Sequence, residues 1–295
     1  MRSSGTSPGA PSLVRRVPPC KAFSMMPNPA RSSREPILNL PSVVAWSIGV
    51  LVGIHALRSF LSEETDFRLL LDYAVIPARW AVAYGGVEVQ EVLNALRRAS
   101  SPESSSLVAL GRFVLQDGEG RPWTALTYAF LHGSWSHVLI NGIWLAAFGT
   151  PIARRCGTGR FLALAAVSAV GGAVLYAFMN SLQIIPMIGA SAAVSGMMAA
   201  ASWFMFAPAE WLPEGRPTLA HERRREGLLD IVRNRQVLIF LGVWFAANYL
   251  FGFVQPFGVA DASIAWEAHV GGFLVGLAFF PLLDPLPPRR SRLPA

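Results

Sequence analysis

The fold class this sequence predicts is an all-α membrane protein with six transmembrane helices. Composition is the first reason: 53% of the 295 residues are apolar and only 15% are charged, against about a quarter charged in soluble domains. A soluble chain of this size needs more polar surface to cover its core, which leaves lipid as the solvent. The second reason is a set of six apolar runs, several of them near the roughly 20 residues that cross a hydrocarbon core about 30 Å thick. The third is the way basic residues gather in alternate connecting segments.

In chain order, residues 1–36 are rich in Ser, Pro and Arg, hold no apolar run, and read as a disordered cytoplasmic tail. Their Arg and Ser content and single acid, Glu35, loosely resemble a transit peptide. The membrane domain is expected over 37–285, with its first span at about 38–58. Residues 59–123 mix charge with short apolar pieces, too polar to span and too apolar for a plain linker. They are expected to form an outer loop of short amphipathic helices at the membrane surface. Five further spans come after it, at about 127–149, 161–180, 186–206, 237–254 and 262–283. The run 186–206 is rich in Ala, Ser and Gly, which suits a helix enclosed by other helices. The basic connection 207–236, with its HERRREG stretch, is expected to hold an amphipathic surface helix, and 286–295 form a short basic C-terminal tail.

Charge then sets the orientation. The N-terminal tail, the connection holding Arg154, Arg155 and Arg160, the connection 207–236 and the C-terminal tail together carry all the Lys and Arg outside 59–123 and the end of the first span. By the positive-inside tendency both termini are cytoplasmic and 59–123 is external. The net charge of +7 does not indicate nucleic acid, because the basic residues lie between long apolar runs. Cys20 and Cys156 fall on the cytoplasmic side and have no metal-ligand spacing, so neither a disulfide framework nor a metal site is expected.

Polar groups inside a bilayer are costly and are functional candidates by default. The second span opens with LHGSWSHVLINGIW, placing His132, His137 and Asn141 near its outer end; the fourth holds IGASAAVSG with Ser191; the sixth holds EAHVGGFLVG with His269. Counting about 1.5 Å per helical residue puts Ser191 and His269 roughly 7–10 Å below the outer surface. His137 and Asn141, four apart, share a helix face at a similar depth. A serine hydroxyl is a poor nucleophile until a base takes its proton, and His269 is the histidine in reach of Ser191. Glu267 projects from another face of the same helix, so a Ser–His dyad is expected rather than a triad. His137, Asn141 and the Ser191 backbone N–H are candidate donors to an oxyanion. Gly189 would allow backbone conformations closed to other residues.

These residues resemble the rhomboid family of intramembrane serine proteases. The family pattern is His-x4-His-x3-Asn on the second span, Gly-x-Ser at the start of the fourth, and a His followed by spaced glycines on the sixth. This chain supplies His132, His137 and Asn141, then Gly189 and Ser191, then His269 with Gly272 and Gly276. The resemblance covers roughly 120–283 and implies a rhomboid-like bundle. It makes Ser191 the nucleophile, His269 the general base, His137 and Asn141 the oxyanion hole, and His132 a structural residue of the outer loop. Gly272 and Gly276 would let span six approach span four closely. Two positions depart from the pattern: Ala192 stands where Gly is frequent, and Ser195 where some members carry a Tyr that packs on the catalytic His.

The expected activity is that of a serine endopeptidase acting near the outer membrane face on proteins with a single spanning helix, with no cofactor, metal or nucleic acid. The expected setting is the bacterial plasma (inner) membrane. The alternatives are a catalytically inactive rhomboid-like binder of membrane clients, and a small transporter using the same polar cluster as a solute path.

Overall fold

The computed structural model describes residues 39–98, 104–253 and 265–286. The expected N-terminal tail with Cys20, and the C-terminal tail beyond 286, lie outside them. Among the described residues the regular structure is helical. Helix α1 covers Ser42–Arg58. Four short helices come next, in the predicted outer loop: α2 (Glu63–Tyr73), α3 (Pro77–Tyr84), α4 (Val89–Arg98) and α5 (Ser104–Leu115). Helix α2 starts where the Ser62 hydroxyl accepts the Thr65 N–H, with Glu63, Glu64 and Asp66 in its positive first turn. Pro77 begins α3, where a missing N–H costs nothing. These helices enclose a small apolar core of their own, including Leu71, Ile76, Val92, Val114, Leu115 and Ile184. Buried Arg79 ties it together by donating to the carbonyls of Leu71 and Val114.

The short α6 (Thr124–Thr127) leads through a 3₁₀ turn to α7 (Trp135–Trp144), a π-helical stretch Leu145–Gly149, and α8 (Thr150–Met179). The helix expected as the second span therefore begins at Trp135 rather than 127, and the expected loop around 150–160 is helical except at one residue. Gly157, at φ 75° and ψ 172°, breaks the run. The chain folds back there. A straight helix would separate Gly149 from Phe161 by about 18 Å, yet a β-carbon on Gly149 would lie 3.1 Å from the Phe161 ring. Each side of the break is about 22 residues long, enough to span a bilayer.

Helix α9 (Ser191–Ser202) is the centre of the bundle: every residue from Ala192 to Ser202 is buried. It is only 12 residues long, because Pro186 and Gly189 keep its lead-in out of the helix. That lead-in pairs with the outer segment through reciprocal backbone bonds between Val75 and Met187. Past α9, HERRREG is extended apart from one 3₁₀ turn at Ala220–Glu222, and the helix of this connection is α10 (Leu228–Arg233). Helices α11 (Arg235–Phe253) and α12 (Trp266–Leu283) complete the order.

Glycine sets the packing of α8, α9 and α12. A β-carbon on Gly272 would fall 2.1 Å from the Ala192 carbonyl oxygen, and one on Gly276 would fall 2.3 Å from that of Gly196. Gly172 and Gly196 meet Ala192 and Ser168 of neighbouring helices as closely. Backbone approaches backbone, as in small-residue seams between membrane helices. Away from this seam the bundle carries apolar, uncovered side chains: Ile143 of α7 is 67% exposed, Val243 of α11 66% and Phe178 of α8 81%. Such side chains suit lipid, not water. Two stretches, Trp135–Met179 and Trp266–Leu283, are long and apolar enough to cross a membrane, and Ser42–Arg58 and Arg235–Ala246 are shorter apolar helices.

Candidate active site

Ser191 is the first residue of α9, not five residues into a span as helical counting implied, because 186–190 lie outside the helix. His269 is the fourth residue of α12. The glycine seam draws these two helix starts together, and Ser191 Oγ lies 2.7 Å from His269 Nε2. That is a hydrogen bond across 78 residues of sequence. At the start of a helix the first N–H groups have no intrahelical acceptor, so the Ser191 N–H stands in a donor-rich position beside its own hydroxyl.

Gly189 has φ +122°, a backbone conformation that suits glycine. Space excludes a side chain as well: a β-carbon there would lie 2.8 Å from His137 Nε2 and 3.8 Å from Ser191 Oγ. The His137 imidazole thus lies across the glycine, next to the serine. Asn141 is buried one turn below, with its amide nitrogen donating to the His137 carbonyl at 3.0 Å. His132 is 1% exposed. Its ring packs edge-on against His137 at 4.9 Å, and its Nε2 faces the Ala190 N–H at a long 3.5 Å.

Six of the eight residues singled out by sequence, Ser191, His269, His137, Asn141, His132 and Gly189, thus gather at one end of the bundle. Gly272 and Gly276 lie along α12 below His269 and hold it against α9. Glu267 does not face the imidazole: its carboxylate accepts the Asn180 amide at 3.2 Å, at the end of α8. Ser195, in the place of the packing Tyr, donates to the Ser191 carbonyl at 2.7 Å. An aromatic ring does approach His269, from another helix. Trp244 of α11 has its ring 6.5 Å from the imidazole and stacks on Phe273. Sequence reading also missed Tyr128, whose carbonyl accepts the Gly189 N–H while its hydroxyl donates to the Ala169 carbonyl. Its place in a run of Thr and Ala gave no signal of either bond.

A hydroxyl bonded to an imidazole, with N–H donors beside it, has the parts of acyl-transfer chemistry. Comparison with known proteins points the same way. The pattern of the Rhomboid domain matches residues 119–284, more than half of the chain. Rhomboid protease GlpG of Pectobacterium atrosepticum is 28% identical over 260 residues, which cover 80% of this chain and 82% of that protein. The GlpG proteins of Serratia proteamaculans and Yersinia enterocolitica are 29% and 28% identical over 155 and 158 residues, and the chain spans only 46% of each. With the family pattern matched across the helices that carry these residues, the chain belongs to the rhomboid family and is an integral membrane serine protease.

Proposed function

We propose that Ser191 and His269 form a catalytic dyad that cleaves a peptide bond in transmembrane substrates near the outer membrane face. One observation carries the reading: the 2.7 Å contact between Ser191 Oγ and His269 Nε2. With the unprotonated nitrogen facing the serine, His269 takes the hydroxyl proton as Oγ bonds to the scissile carbonyl carbon. The carbonyl electron pair moves onto oxygen, where the Ser191 N–H, His137 and Asn141 supply donors. Asn141 has a second amide hydrogen beyond the one bonded to His137, so it can serve without releasing its helix. Collapse of the intermediate breaks the C–N bond as His269 returns the proton to the leaving amine. Water then hydrolyses the acyl-enzyme by the same proton path in reverse. His132 stays structural, packing against His137 and the loop that carries the serine.

The membrane domain over 37–285 is read as six spans: α1, the two arms on either side of Gly157, the α9 segment, α11 and α12. Both termini are cytoplasmic in this reading, with α2–α5 forming the outer loop. The substrates are single-span membrane proteins and the setting is a bacterial inner membrane. An isolated helix hides its carbonyls in hydrogen bonds, so small or helix-weakening residues near the outer end of a substrate would favour cleavage. The test is a fluorophosphonate probe together with a single-span reporter in proteoliposomes. Wild type is labelled and cuts the reporter, while Ser191→Ala and His269→Ala do neither. An unlabelled, inactive but folded wild type would overturn the reading and leave a binder of membrane clients.

A further inference from the structure

Arg58, at the end of α1, is buried to 8% exposure, and its guanidinium donates in two directions. Nε and Nη2 form a fork on the Asp66 carboxylate at 2.7 and 2.9 Å. Nη1 donates to the backbone carbonyl of His132 at 2.8 Å, across 74 residues of sequence. His132 lies in the extended turn between the 3₁₀ segment and α7, so no helical ladder supplies its carbonyl with a donor and an outside group must. The ring of the same residue touches both flanks of the nucleophile: Ala190, immediately before Ser191, and His137, which lies across Gly189.

From this continuity we propose that Arg58 is a positioning residue for the serine, locked by Asp66 and acting through His132. Asp66 fixes the guanidinium plane, and the third N–H fixes the height of the His132 backbone. His132 in turn sets where the Ala190 N–H and the His137 ring stand relative to Ser191 Oγ. A planar fork with a further donor is a geometry that Arg supplies and Lys does not. The proposal rests on Ser191 being the nucleophile, since only then does its placement appear in the rate.

The decisive variant replaces both partners with apolar groups of similar reach, Arg58→Met with Asp66→Leu. Removing the pair as a whole leaves no unpaired charge, so the melting temperature falls only by what the His132 carbonyl loses with its donor. In proteoliposomes kcat falls about tenfold with KM unchanged, in line with the cost of a sub-ångström misplacement of a reacting group. Arg58→Lys shows the same split, because a point charge cannot hold Asp66 and the carbonyl in one plane. Hydrogen exchange of the peptide spanning Gly189–Ser191 rises in both variants, while peptides from α8 are unchanged. Wild-type kcat and exchange in the double variant would overturn the proposal and leave the pair as structure only. If wild type fails to take the fluorophosphonate, the nucleophile reading falls instead, and the exchange of Gly189–Ser191 still decides whether Arg58 holds the loop.

Discussion

At the end of α12, Asp284 takes both arms of the Arg155 guanidinium at 2.8 Å, and neither side chain has any exposure. Arg155 also donates to the carbonyls of His221 and Arg223 and lies 4.4 Å over the Phe204 ring. Arg223 in turn caps the carbonyls of Met205 and Ala207 beyond α9. At the start of the same helix, about 22 Å away by helical rise, His269 shares a 2.7 Å bond with Ser191. One end buries charge and answers it with charge and carbonyls, while the other buries neutral polar groups that can pass a proton. The difference teaches what pairing does. Charge paired with charge clamps the 207–236 connection and α12 to the bundle, and a hydroxyl paired with an imidazole leaves a group able to react.

Removing chemistry and removing the clamp therefore have opposite signatures. Ser191→Ala or His269→Ala is expected to lower kcat by at least about a thousandfold with the melting temperature nearly unchanged, measured by reporter cleavage and thermal denaturation in detergent. Asp284→Ala leaves a buried guanidinium without its carboxylate and costs about 3–5 kcal/mol of stability. Its kcat per folded molecule, counted by active-site titration, stays within about twofold. A clamp variant that abolished labelling while remaining folded would erase the distinction between the two ends.

The seam joining the two ends should show both signatures at once. Gly276→Ala puts a β-carbon where 2.3 Å separates it from the Gly196 carbonyl. It is expected to cost about 1–3 kcal/mol by overpacking and to slow labelling of Ser191 as α12 is pushed outward. Gly189→Ala, strained at φ +122° and crowding His137, should lower kcat more than stability.

The smallest effect belongs to an exposed pair in the 207–236 connection. The Arg216 side chain, and after it the Leu219 N–H, hold the Glu222 carboxyl down at about 2 from its ordinary 4.5. A lowered carboxylate contributes stability above the ordinary range, and that contribution is lost as pH falls through about 2. Arg216→Gln is expected to return the Glu222 titration toward 4.5, read by carboxyl infrared bands. Stability at neutral pH should fall only slightly, because solvent screens an exposed pair.

Much of the site was legible because its chemistry needs rare residues at fixed spacing. His137 and Asn141 four apart, Gly189 two before Ser191, and His269 ahead of Gly272 and Gly276 are local patterns with a physical reason. What sequence hid was long-range or depended on backbone shape. Arg155, counted among the loop charges that set the orientation, is buried against a carboxylate 129 residues away. Arg58 and Asp66 look like charges at the mouth of a span until the His132 carbonyl is found between them and the site. Helical counting misplaced Ser191 because it ran a helix through Pro186 and Gly189, two residues that argue against one. Gly157 falls in the connection expected between spans two and three, yet this one residue suffices to break the helical run and bring Phe161 back to Gly149.

The contact between Gly272 and Gly276 of α12 and the carbonyls of α9 also bears on how the gene can change. Any codon change that replaces a glycine encodes a residue with at least a β-carbon. No such step at Gly272 or Gly276 is silent in space, since each meets an oxygen closer than any real carbon sits. Neutral drift in α12 is thereby left to its exposed side, where Leu274 and Leu282 lie. In a deep mutational scan, the contrast between the two faces of α12 would trace the seam without a structure.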